Sequence, residues 1–478
     1  MPTTYIAAIG LEIHAQLITA SKMFSPEATS YEALPNTQTS AVTLAHPGTL
    51  PTINKRAIDL AIQMGLACNA KITEYNCFAR KNYHYPDLPK GFQITQDKTP
   101  ICQGGYITID SPKAKKIHLT RIHLEEDTGK SLHDLMPGLT LLDFNRAGTP
   151  LIEIVTTPEI RSPEEAYACL KEIRRLMRYL GVCDGNMEAG SLRCDVNVSL
   201  RKEDDNKLGQ KVEVKNINSM RYIQLAIADE IARQVALLNK GIGITATTRA
   251  YDAQRGRTIH MRDKETLAEY RYFPEPNLSP FIVDASWITQ VKASMPLLPR
   301  QLLEKFITTY GLTTYDANVL VEDKGIALLF EAICKHTIHY KTAANWVMGP
   351  VKSLLNKHKL VVDSLPIAAV DMGTIVEMIA SSKLSFSVAA DSLLPTLLAK
   401  PSVAPDLLAE ELGVLQTADK ALLLTWVKAA IATYPDKVQA YRGGAKGIIN
   451  LFIGEVMKHS KGRANPSKIR RLLEQQLG

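Results

Sequence analysis

Residues 9–17 read IGLEIHAQL, and apolar side chains occupy every second position of this stretch. This alternation predicts a β-strand with one buried face. The opposite face of the strand then carries Glu12, His14 and Gln16 side by side. The polar face of a half-buried strand is often simply solvated. A carboxylate beside an imidazole is also a typical pair of metal ligands, so the other strands must decide between the two interpretations.

Four further stretches place carboxylates on predicted strands. They are RIHLEEDTG (121–129), PLIEIVTTP (150–158), GSLRCDVNVSLR (190–201) and KVEVKNINS (211–219), with the acids Glu125, Glu126, Asp127, Glu153, Asp195 and Glu213. Glu153 is the most informative of them, because both faces of its apolar strand look buried. A buried carboxylate is costly unless a cation or hydrogen-bond donors compensate it. For each strand alone, an ion pair with a neighbouring arginine is the alternative explanation.

Taken together, five strands with acids predict one shared acidic centre. Oxygen ligands with one imidazole suit Mg²⁺ or Mn²⁺, and such an ion suits a nucleotide phosphate. Neighbouring strand residues face opposite ways, so spacing allows only one of Glu125 and Glu126 in the centre. The GKS at residues 129–131 resembles the end of a P-loop, but Leu124 stands where that loop requires glycine. The phosphate-binding backbone of a P-loop is therefore missing.

The bulk composition is that of a globular protein, with 45% hydrophobic and 22% charged residues among 478. No apolar run approaches the roughly 20 residues of a membrane span, and the N-terminus lacks signal or transit features. The 7 cysteines are scattered without a CxxC pair. We therefore expect a cytoplasmic protein without a membrane partner, without a disulfide framework and without a four-cysteine zinc site.

The residue pattern changes along the chain and predicts an α+β fold of about three domains. Residues 1–293 are mainly strands and loops, residues 294–405 are helical in spacing, and residues 406–478 form a further helical tail. Within the first region, Ser162 followed by Pro163 and Glu165 predicts a capping box at the start of a helix. From residue 441 onward the net charge is +6, out of +7 for the whole chain. A basic terminal region predicts a polyanionic partner, although a solvated basic helix face is the alternative.

Long motifs in this sequence resemble one known family. The motifs are IGLEIHAQL, FARKNYHYPDLPKGFQITQ, HLEEDTGKS, DFNRAGTPLIEIVTTPEIRSPEEA, MEAGSLRCDVNVSLR, VEVKNINSMR, YRYFPEPNLSP and KGIINLFIGEVMKHSKGRANP. They resemble the B subunit of the aspartyl/glutamyl-tRNA(Asn/Gln) amidotransferase, in the family's order and over nearly the whole chain.

The resemblance implies a fold, a reaction and partners. The N-terminal part would be an antiparallel-sheet cradle with the ATP and Mg²⁺ site, and the helical domain and tail would bind tRNA. The protein would use ATP to phosphorylate the side-chain carboxylate of Glu on tRNA-Gln or of Asp on tRNA-Asn. Ammonia from a glutaminase A subunit would then displace the phosphate, in a heterotrimer completed by a small C subunit.

The resemblance also assigns residues. The metal and catalytic positions match Glu12, His14, the Glu125–Glu126 pair, Glu153, Asp195 and Glu213, with Glu126 preferred as the ligand of the pair. Candidates for phosphate contact are Arg80, Lys81 and Lys215. Tyr83 and Tyr85 are candidates for a surface near the acceptor end, with ordinary loop packing as the alternative. The candidates for tRNA contact come from the charge pattern of the tail instead. They are Lys458, Lys461, Arg463, Lys468, Arg470 and Arg471, which lie near one another across a helix break that Asn465-Pro466 predicts.

The chain departs from the family pattern in one place. Many members carry a zinc knob, but the corresponding stretches here read MFSPEATS (23–30) and SAVTLAHPG (40–48), without any of the four cysteines. We therefore expect no zinc, and other contacts must hold this knob.

Two other functions remain to be weighed. One is a non-catalytic tRNA-binding subunit with a vestigial acidic site, and the presence of every acid argues against it. The other is a free-standing Mg²⁺-dependent acid kinase or ligase, and the basic tail and the lack of an ammonia-producing motif argue against it. The sequence leaves open whether Glu-tRNA, Asp-tRNA or both are used.

Overall fold

The computed structural model of the chain describes residues 5–110, 112–133, 135–205, 207–263, 270–417, 419–460 and 462–478. The chain forms two compact units, Met1–Leu298 and Pro299–Gly478. A sheet-based N-terminal unit followed by a helical C-terminal unit confirms the predicted α+β fold. The predicted boundaries after residues 293 and 405 stay predictions.

The N-terminal unit is built from strands with helices between or after them. The strands are β1 (Tyr5–Gln16), β2 (Lys71–Ile72), β3 (Tyr75–Asn76), β4 (Ala79–Asn82), β5 (Phe92–Thr95), β6 (Cys102–Gln103), β7 (Tyr106–Ile109), β8 (Lys115–Glu126), β9 (Lys130–Leu132), β10 (Leu141–Asp143), β11 (Pro150–Thr156), β12 (Leu192–Lys202), β13 (Val212–Lys215), β14 (Thr247–Asp252), β15 (Arg257–Asp263), β16 (Phe273–Pro274) and β17 (Phe281–Ile282). The helices are α1 (Lys55–Ala67), α2 (Pro163–Leu180), α3 (Met220–Asn239) and α4 (Ala285–Ala293).

The main sheet has the strand order β15-β14-β13-β12-β1-β11-β8-β5-β4-β16, with β2, β6 and β7 alongside. The pairs that flank β1 are antiparallel, as predicted, and the β13–β14 pair is parallel. In the register, Glu12 stands beside Asp195, and His14 stands beside Glu153. Non-local strand pairing therefore brings together acids that are far apart in the sequence.

The predicted strand at residues 9–17 is confirmed as part of β1. Ile9, Leu11 and Ile13 are fully buried in a core that also contains residues of α1, α2 and α3. Helix α2 begins where the capping box is predicted, and the Ser162 side chain accepts a hydrogen bond from the Glu165 backbone N–H at 3.2 Å. The Glu165 carboxylate accepts from the Arg161 backbone N–H at 2.9 Å. Because the helices cover the apolar face of the sheet, the polar side chains of β1 lie on the other face.

The knob at residues 20–52 contains a hydrogen-bonded cluster at the positions that resemble the family's zinc stretches. The hydroxyls of Ser25 and Thr43 donate to Oε2 of Glu27 at 2.5 and 2.8 Å. The Asn36 side chain accepts from the Phe144 backbone N–H at 2.7 Å and connects the knob to the segment after β10. These contacts join the two stretches without sulfur.

The C-terminal unit is helical in the part that is described. Its helices are α5 (Pro299–Thr308), α6 (Thr314–Val321), α7 (Lys324–Cys334), α8 (Tyr340–Trp346), α9 (Lys352–His358), α10 (Ala369–Ala380), α11 (Phe386–Val388), α12 (Leu394–Ala399), α13 (Pro405–Glu411), α14 (Lys420–Thr433), α15 (Pro435–Arg442), α16 (Ile449–His459) and α17 (Pro466–Leu477). The last four helices enclose a hydrophobic cluster of their own, which includes Val427, Phe452 and Leu473. Among the described residues, none of the helices has the length and apolar composition that crossing a membrane requires.

Candidate active site

A cavity of about 370 Å³ opens on the polar face of the main sheet. Residues from β1, β4, β5, β8, β11, β12, β13, β14 and β15 contribute to its wall. The lining residues are Glu12, His14, Lys81, Thr95, Gln96, Asp97, Arg121, His123, Glu125, Glu153, Val155, Asp195, Lys211, Glu213, Lys215, Thr248, Arg262, Tyr270 and Tyr272. Acids from all five predicted strands therefore meet in one place.

Three of the predicted ligands lie close enough to hold one ion. Nε2 of His14 is 3.3 Å from Oε2 of Glu153 and 3.6 Å from Oε1 of Glu125. One ligand atom from each of the three residues lies within 4.8 Å of the others. Buried carboxylate oxygens with an imidazole nitrogen form a donor set that suits a divalent cation.

A second imidazole, His123, was missed by the sequence analysis. Its Nε2 is 3.2 Å from Oε2 of Glu153. The ring is buried, and its Nδ1 makes no hydrogen bond within the described part of the chain. The signal was present in β8, because His123 and Glu125 are two residues apart and therefore share a face.

The electrostatics of this cluster favour charged groups despite burial. Burial disfavours the imidazolium of His14, but Glu153, Glu125 and Asp195 outweigh burial and raise the pKa of His14 to about 9. Burial likewise opposes ionisation of Glu153, but His123 and His14 hold its pKa well below the usual range. Without a cation, the charge of the Glu153 carboxylate is therefore balanced by a protonated imidazole. A bound cation would replace the positive charge of that proton.

A second group of acids surrounds a lysine. Nζ of Lys215 lies 2.7 Å from Oδ2 of Asp195 and 3.5 Å from Oε1 of Glu213. Burial opposes the charge of Lys215, but Asp195 and Glu213 raise its pKa above the usual value. The Thr248 hydroxyl donates to Oε2 of Glu213 at 2.9 Å, and the Asn197 amide donates to Oε1 of Glu12 at 2.8 Å. The second group is thus held in a defined geometry by neighbouring strands.

Two predicted residues lie outside the cavity, which corrects the sequence analysis. Glu126 is buried on the opposite side of β8 from Glu125, where its carboxylate binds Lys90 and accepts from the Ile94 backbone N–H at 2.9 Å. Arg80 donates through Nε and Nη2 to the two oxygens of Glu275, at 2.6 and 3.0 Å. In both cases the adjacent residue faces the cavity, because successive strand residues point to opposite faces.

Tyrosines line the mouth of the cavity, but not the pair predicted from NYHYPD. Tyr270 and Tyr272 are lining residues. Tyr83 packs edge-on against Tyr270, with ring centroids 6.2 Å apart, and against Tyr85, with centroids 5.8 Å apart. Nζ of Lys81 lies 5.0 Å from the Tyr270 ring centroid. Tyr83 and Tyr85 therefore contact residues that line the cavity, Tyr83 through Tyr270 and Tyr85 through Arg262, without lining it themselves.

The predicted basic residues of the tail are solvent-exposed wherever they are described. They are Lys458, Arg463, Lys468, Arg470 and Arg471, and Lys461 lies outside the described residues. The predicted helix break is confirmed, since α16 ends at His459 and α17 begins at Pro466 after the cap residue Asn465.

Comparisons with known proteins agree with the resemblance. The family model described as the GatB/GatE catalytic domain matches residues 7–289, and the model described as the GatB domain matches residues 328–477. A protein of Paraburkholderia phytofirmans is 44% identical over 490 residues, covering 100% of both chains. A protein of Thermodesulfovibrio yellowstonii is 43% identical over 470 residues, covering 98% of both chains. Both are named as the B subunit of the aspartyl/glutamyl-tRNA(Asn/Gln) amidotransferase.

Proposed function

Because the chain belongs to the family of B subunits of the aspartyl/glutamyl-tRNA(Asn/Gln) amidotransferases, we propose that it performs ATP-dependent amidation of a misacylated tRNA. The substrate would be Glu on tRNA-Gln, Asp on tRNA-Asn, or both. The observation that carries the proposal is the cavity in which acids from five strands meet Lys81 and Lys215.

The chemistry of amide formation explains why such a cavity is needed. A carboxylate does not react directly with ammonia, since it would have to expel an oxide or hydroxide. In the first step, a carboxylate oxygen bonds to the γ-phosphorus of ATP, the bond from that phosphorus to the bridging oxygen breaks, and ADP leaves. In the second step, ammonia bonds to the acyl carbon, phosphate leaves with the C–O bonding pair, and the nitrogen loses a proton. Both steps depend on positioning and on neutralising phosphate charge.

The residues divide into two groups in this proposal. His14, Glu125 and Glu153 would hold a divalent cation, with Mg²⁺ as the expected ion, and His123 would orient Glu153. The cation would supply positive charge to the phosphates when bound. Lys81 and Lys215 would bind phosphate oxygens. We assign Glu125 rather than Glu126 to this centre and leave out Arg80, because Glu126 and Arg80 lie on the opposite face of the sheet.

The second group of acids, Asp195, Glu213 and Glu12, would hold Lys215 in position. Asp195 and Glu213 contact its ammonium directly, and Glu12 stands beside Asp195 in the strand register. These acids would hold the lysine charged and in place until a phosphate arrives. The ordered hydrogen bonds of this group support a working site over a vestigial one in a non-catalytic subunit.

The proposal includes partners and a location. Within the described part of the chain, we assign no side chain to the release of ammonia from glutamine. A glutaminase A subunit would supply the ammonia, and a small C subunit would complete the heterotrimer. The basic tail would bind tRNA phosphates. We propose a cytoplasmic location and no zinc, with the Ser25–Glu27–Thr43 cluster in place of a zinc site.

The decisive experiment is tRNA-dependent ATP hydrolysis by the protein reconstituted with its partner subunits. We expect ADP release to depend on Glu-tRNA-Gln, on Asp-tRNA-Asn or on both, assayed separately with uncharged tRNA as the control. With the partner's glutaminase inactivated, added ammonium should still yield the amidated tRNA. Equal ADP release with charged and uncharged tRNA would contradict the proposal, and so would glutamine hydrolysis by this chain alone.

A further inference from the structure

A buried acid, Glu230, lies on helix α3 behind the sheet and takes no part in the cavity. Its side chain is fully buried. Arg233 binds both carboxylate oxygens, through Nη2 at 2.6 Å and Nε at 2.9 Å. The Gln234 amide donates to Oε1 at 2.8 Å. A buried carboxylate with so many donors is held in one position, and its burial is compensated by these contacts.

The remaining partners of Glu230 belong to the hairpin formed by β14 and β15. The Thr258 hydroxyl donates to Oε2 at 3.1 Å, and Nε of Arg249 lies 3.4 Å from the same oxygen. Arg249 also donates from Nη2 to the Thr258 carbonyl at 2.8 Å. The preceding residue of α3, Asp229, accepts from the Thr258 backbone N–H at 2.7 Å. Helix α3 therefore contacts both strands of the hairpin from behind.

The same hairpin presents two side chains to the cavity on its other face. Thr248 precedes Arg249 in β14 and donates to Glu213. Arg262 stands beside Thr248 in the register and also lines the cavity. Nη1 of Arg262 donates to the Tyr85 hydroxyl at 2.7 Å. This contact joins the β15 edge of the sheet to the segment that follows β4 near the other edge.

The attachment of this hairpin to the rest of the sheet is short. Strand β13 pairs with β14 through Glu213, Val214 and Lys215 alone. A parallel pairing of three residues is a weak attachment. The contacts to Glu230 supply a second attachment, and a change there would move Thr248 and Arg262 together.

We propose that this hairpin is a phosphate-binding wall of the cavity, with Arg262 as the guanidinium that contacts the polyphosphate of a nucleoside triphosphate and Glu230 as the positioning residue that sets the wall. The proposal rests on the proposed function. A guanidinium offers planar paired donors that match phosphate oxygens. The hairpin brings it to the same cavity as the cation ligands and Lys81.

The test compares five variants of the protein in the reconstituted complex. They are Arg262→Met, Glu230→Gln, the milder Thr258→Val, the double variant Glu230→Gln/Arg262→Met, and Glu165→Gln as a matched control. Glu165 also joins a helix to the sheet, through Lys115 at 2.7 Å, but it does not touch the hairpin. For each variant we measure the binding of a fluorescent ADP derivative and the binding of Mn²⁺. We also measure the KM for ATP and the kcat of tRNA-dependent ATP hydrolysis.

We expect Arg262→Met to weaken nucleotide binding and raise the KM for ATP by about tenfold or more, since the variant cannot form a charge-assisted hydrogen bond to phosphate. Glu230→Gln and Thr258→Val should raise the same KM by a smaller factor and leave Mn²⁺ binding unchanged. The losses of nucleotide affinity in the double variant Glu230→Gln/Arg262→Met should be less than additive, because both changes act on the contact that Arg262 makes. Glu165→Gln should match the wild type.

Several outcomes would overturn the inference. One is additive losses in the double variant, and another is a Thr258→Val or Glu230→Gln protein that behaves like Glu165→Gln. If Glu230→Gln does not fold, Thr258→Val decides. It removes the hydroxyl that donates to Glu230 and accepts from Nε of Arg249 at 3.1 Å, but Glu230 keeps its ion pairs with Arg233 and Arg249. If the wild-type complex shows no ATP hydrolysis that depends on charged tRNA, the proposed function is contradicted instead. The role of Arg262 would still be tested by direct binding of the ADP derivative.

Discussion

Glu125 and Glu126 are consecutive residues of β8, and their carboxylates lie on opposite faces of the main sheet. Glu125 faces His14 across the cavity, at 3.6 Å between Oε1 and Nε2. Glu126 accepts a hydrogen bond from the Ile94 backbone N–H and binds Lys90 on the other side. The two acids are chemically alike, but their surroundings differ.

The first prediction separates these two acids. We expect Glu125→Gln to weaken Mn²⁺ binding by about tenfold or more, because an anionic ligand is lost from the cluster. Glu126→Gln should bind Mn²⁺ like the wild type, since its carboxylate does not reach the cavity. Titration followed by electron paramagnetic resonance of free Mn²⁺ measures both. Weaker Mn²⁺ binding by Glu126→Gln than by Glu125→Gln would refute the assignment.

The second prediction concerns His123, which contacts Glu153 at 3.2 Å. Partners that orient a metal ligand typically contribute about 10–100-fold to metal affinity, so we expect His123→Asn to weaken Mn²⁺ binding by that order. His118→Asn is the matched control, because His118 lies in the same strand and pairs with the exposed Glu159. Isothermal titration at fixed pH compares the variants, and equal affinities for the two would show that His123 does not orient Glu153.

The third prediction concerns pH. The pKa of His14 in the folded, metal-free protein is about 9, above the ordinary 6.5, because nearby carboxylates outweigh burial. A raised pKa contributes stability that is fully present below about pH 6.5 and is lost as the pH rises through about 9. We expect the His14 contribution to the unfolding free energy of the N-terminal unit to fall by on the order of 3 kcal/mol as the pH rises from about 6.5 through about 9.

The measurement for His14 is urea unfolding in the presence of a chelator at a series of pH values. His14→Gln serves as the reference, since other titrating groups cancel in the difference between the two proteins. The stability advantage of the wild type should be largest near pH 6 and should shrink toward pH 10. A difference that is constant across this range would rule out the raised pKa.

The fourth prediction contrasts the neighbours Arg80 and Lys81. Arg80→Met leaves the buried carboxylate of Glu275 without its cation, and such losses cost about 3–5 kcal/mol. Lys81→Met should change stability little but lower tRNA-dependent ATP hydrolysis more than about tenfold, since Lys81 faces the cavity. Urea unfolding and the hydrolysis assay are run on both variants, and a stable Arg80→Met with impaired hydrolysis would reverse the assignment.

The fifth prediction concerns the basic tail. Changing Arg463, Lys468, Arg470 and Arg471 to Gln should weaken tRNA binding and flatten its salt dependence, by roughly 0.7–0.9 in the log–log slope for each phosphate that is no longer neutralised. The defect in catalysis should appear mainly in the KM for charged tRNA. Changing the exposed Lys420, Lys428 and Lys437 to Gln is the control, which removes three positive charges where the tail variant removes four. Equal salt slopes for the two variants would show that the tail is only a solvated basic surface.

The local pattern of the sequence was sufficient to predict several secondary-structure elements and to identify the family. Alternation over residues 9–17 specified β1, and Ser162 with Glu165 specified the start of α2. The Asn465-Pro466 pair marked the break before α17. These signals are local because side-chain periodicity, capping and proline geometry depend on a few consecutive residues. The long motifs likewise identified the family that the comparisons confirmed.

The composition of the cavity depended on contacts between distant strands. The stretch HLEED carries acids at adjacent positions, and the pairing of β8 with β11 puts His123 opposite Glu153, with Glu125 two residues further along β8 on the same face. The stretch ARKN does not say whether Arg80 or Lys81 faces the cavity, because a strand without an apolar alternation has no preferred phase. Arg262 reaches the cavity because β14 and β15 pair with an irregularity after Thr248 and α3 holds them from behind. Register and helix packing are non-local, and they set which side of each strand meets the substrate.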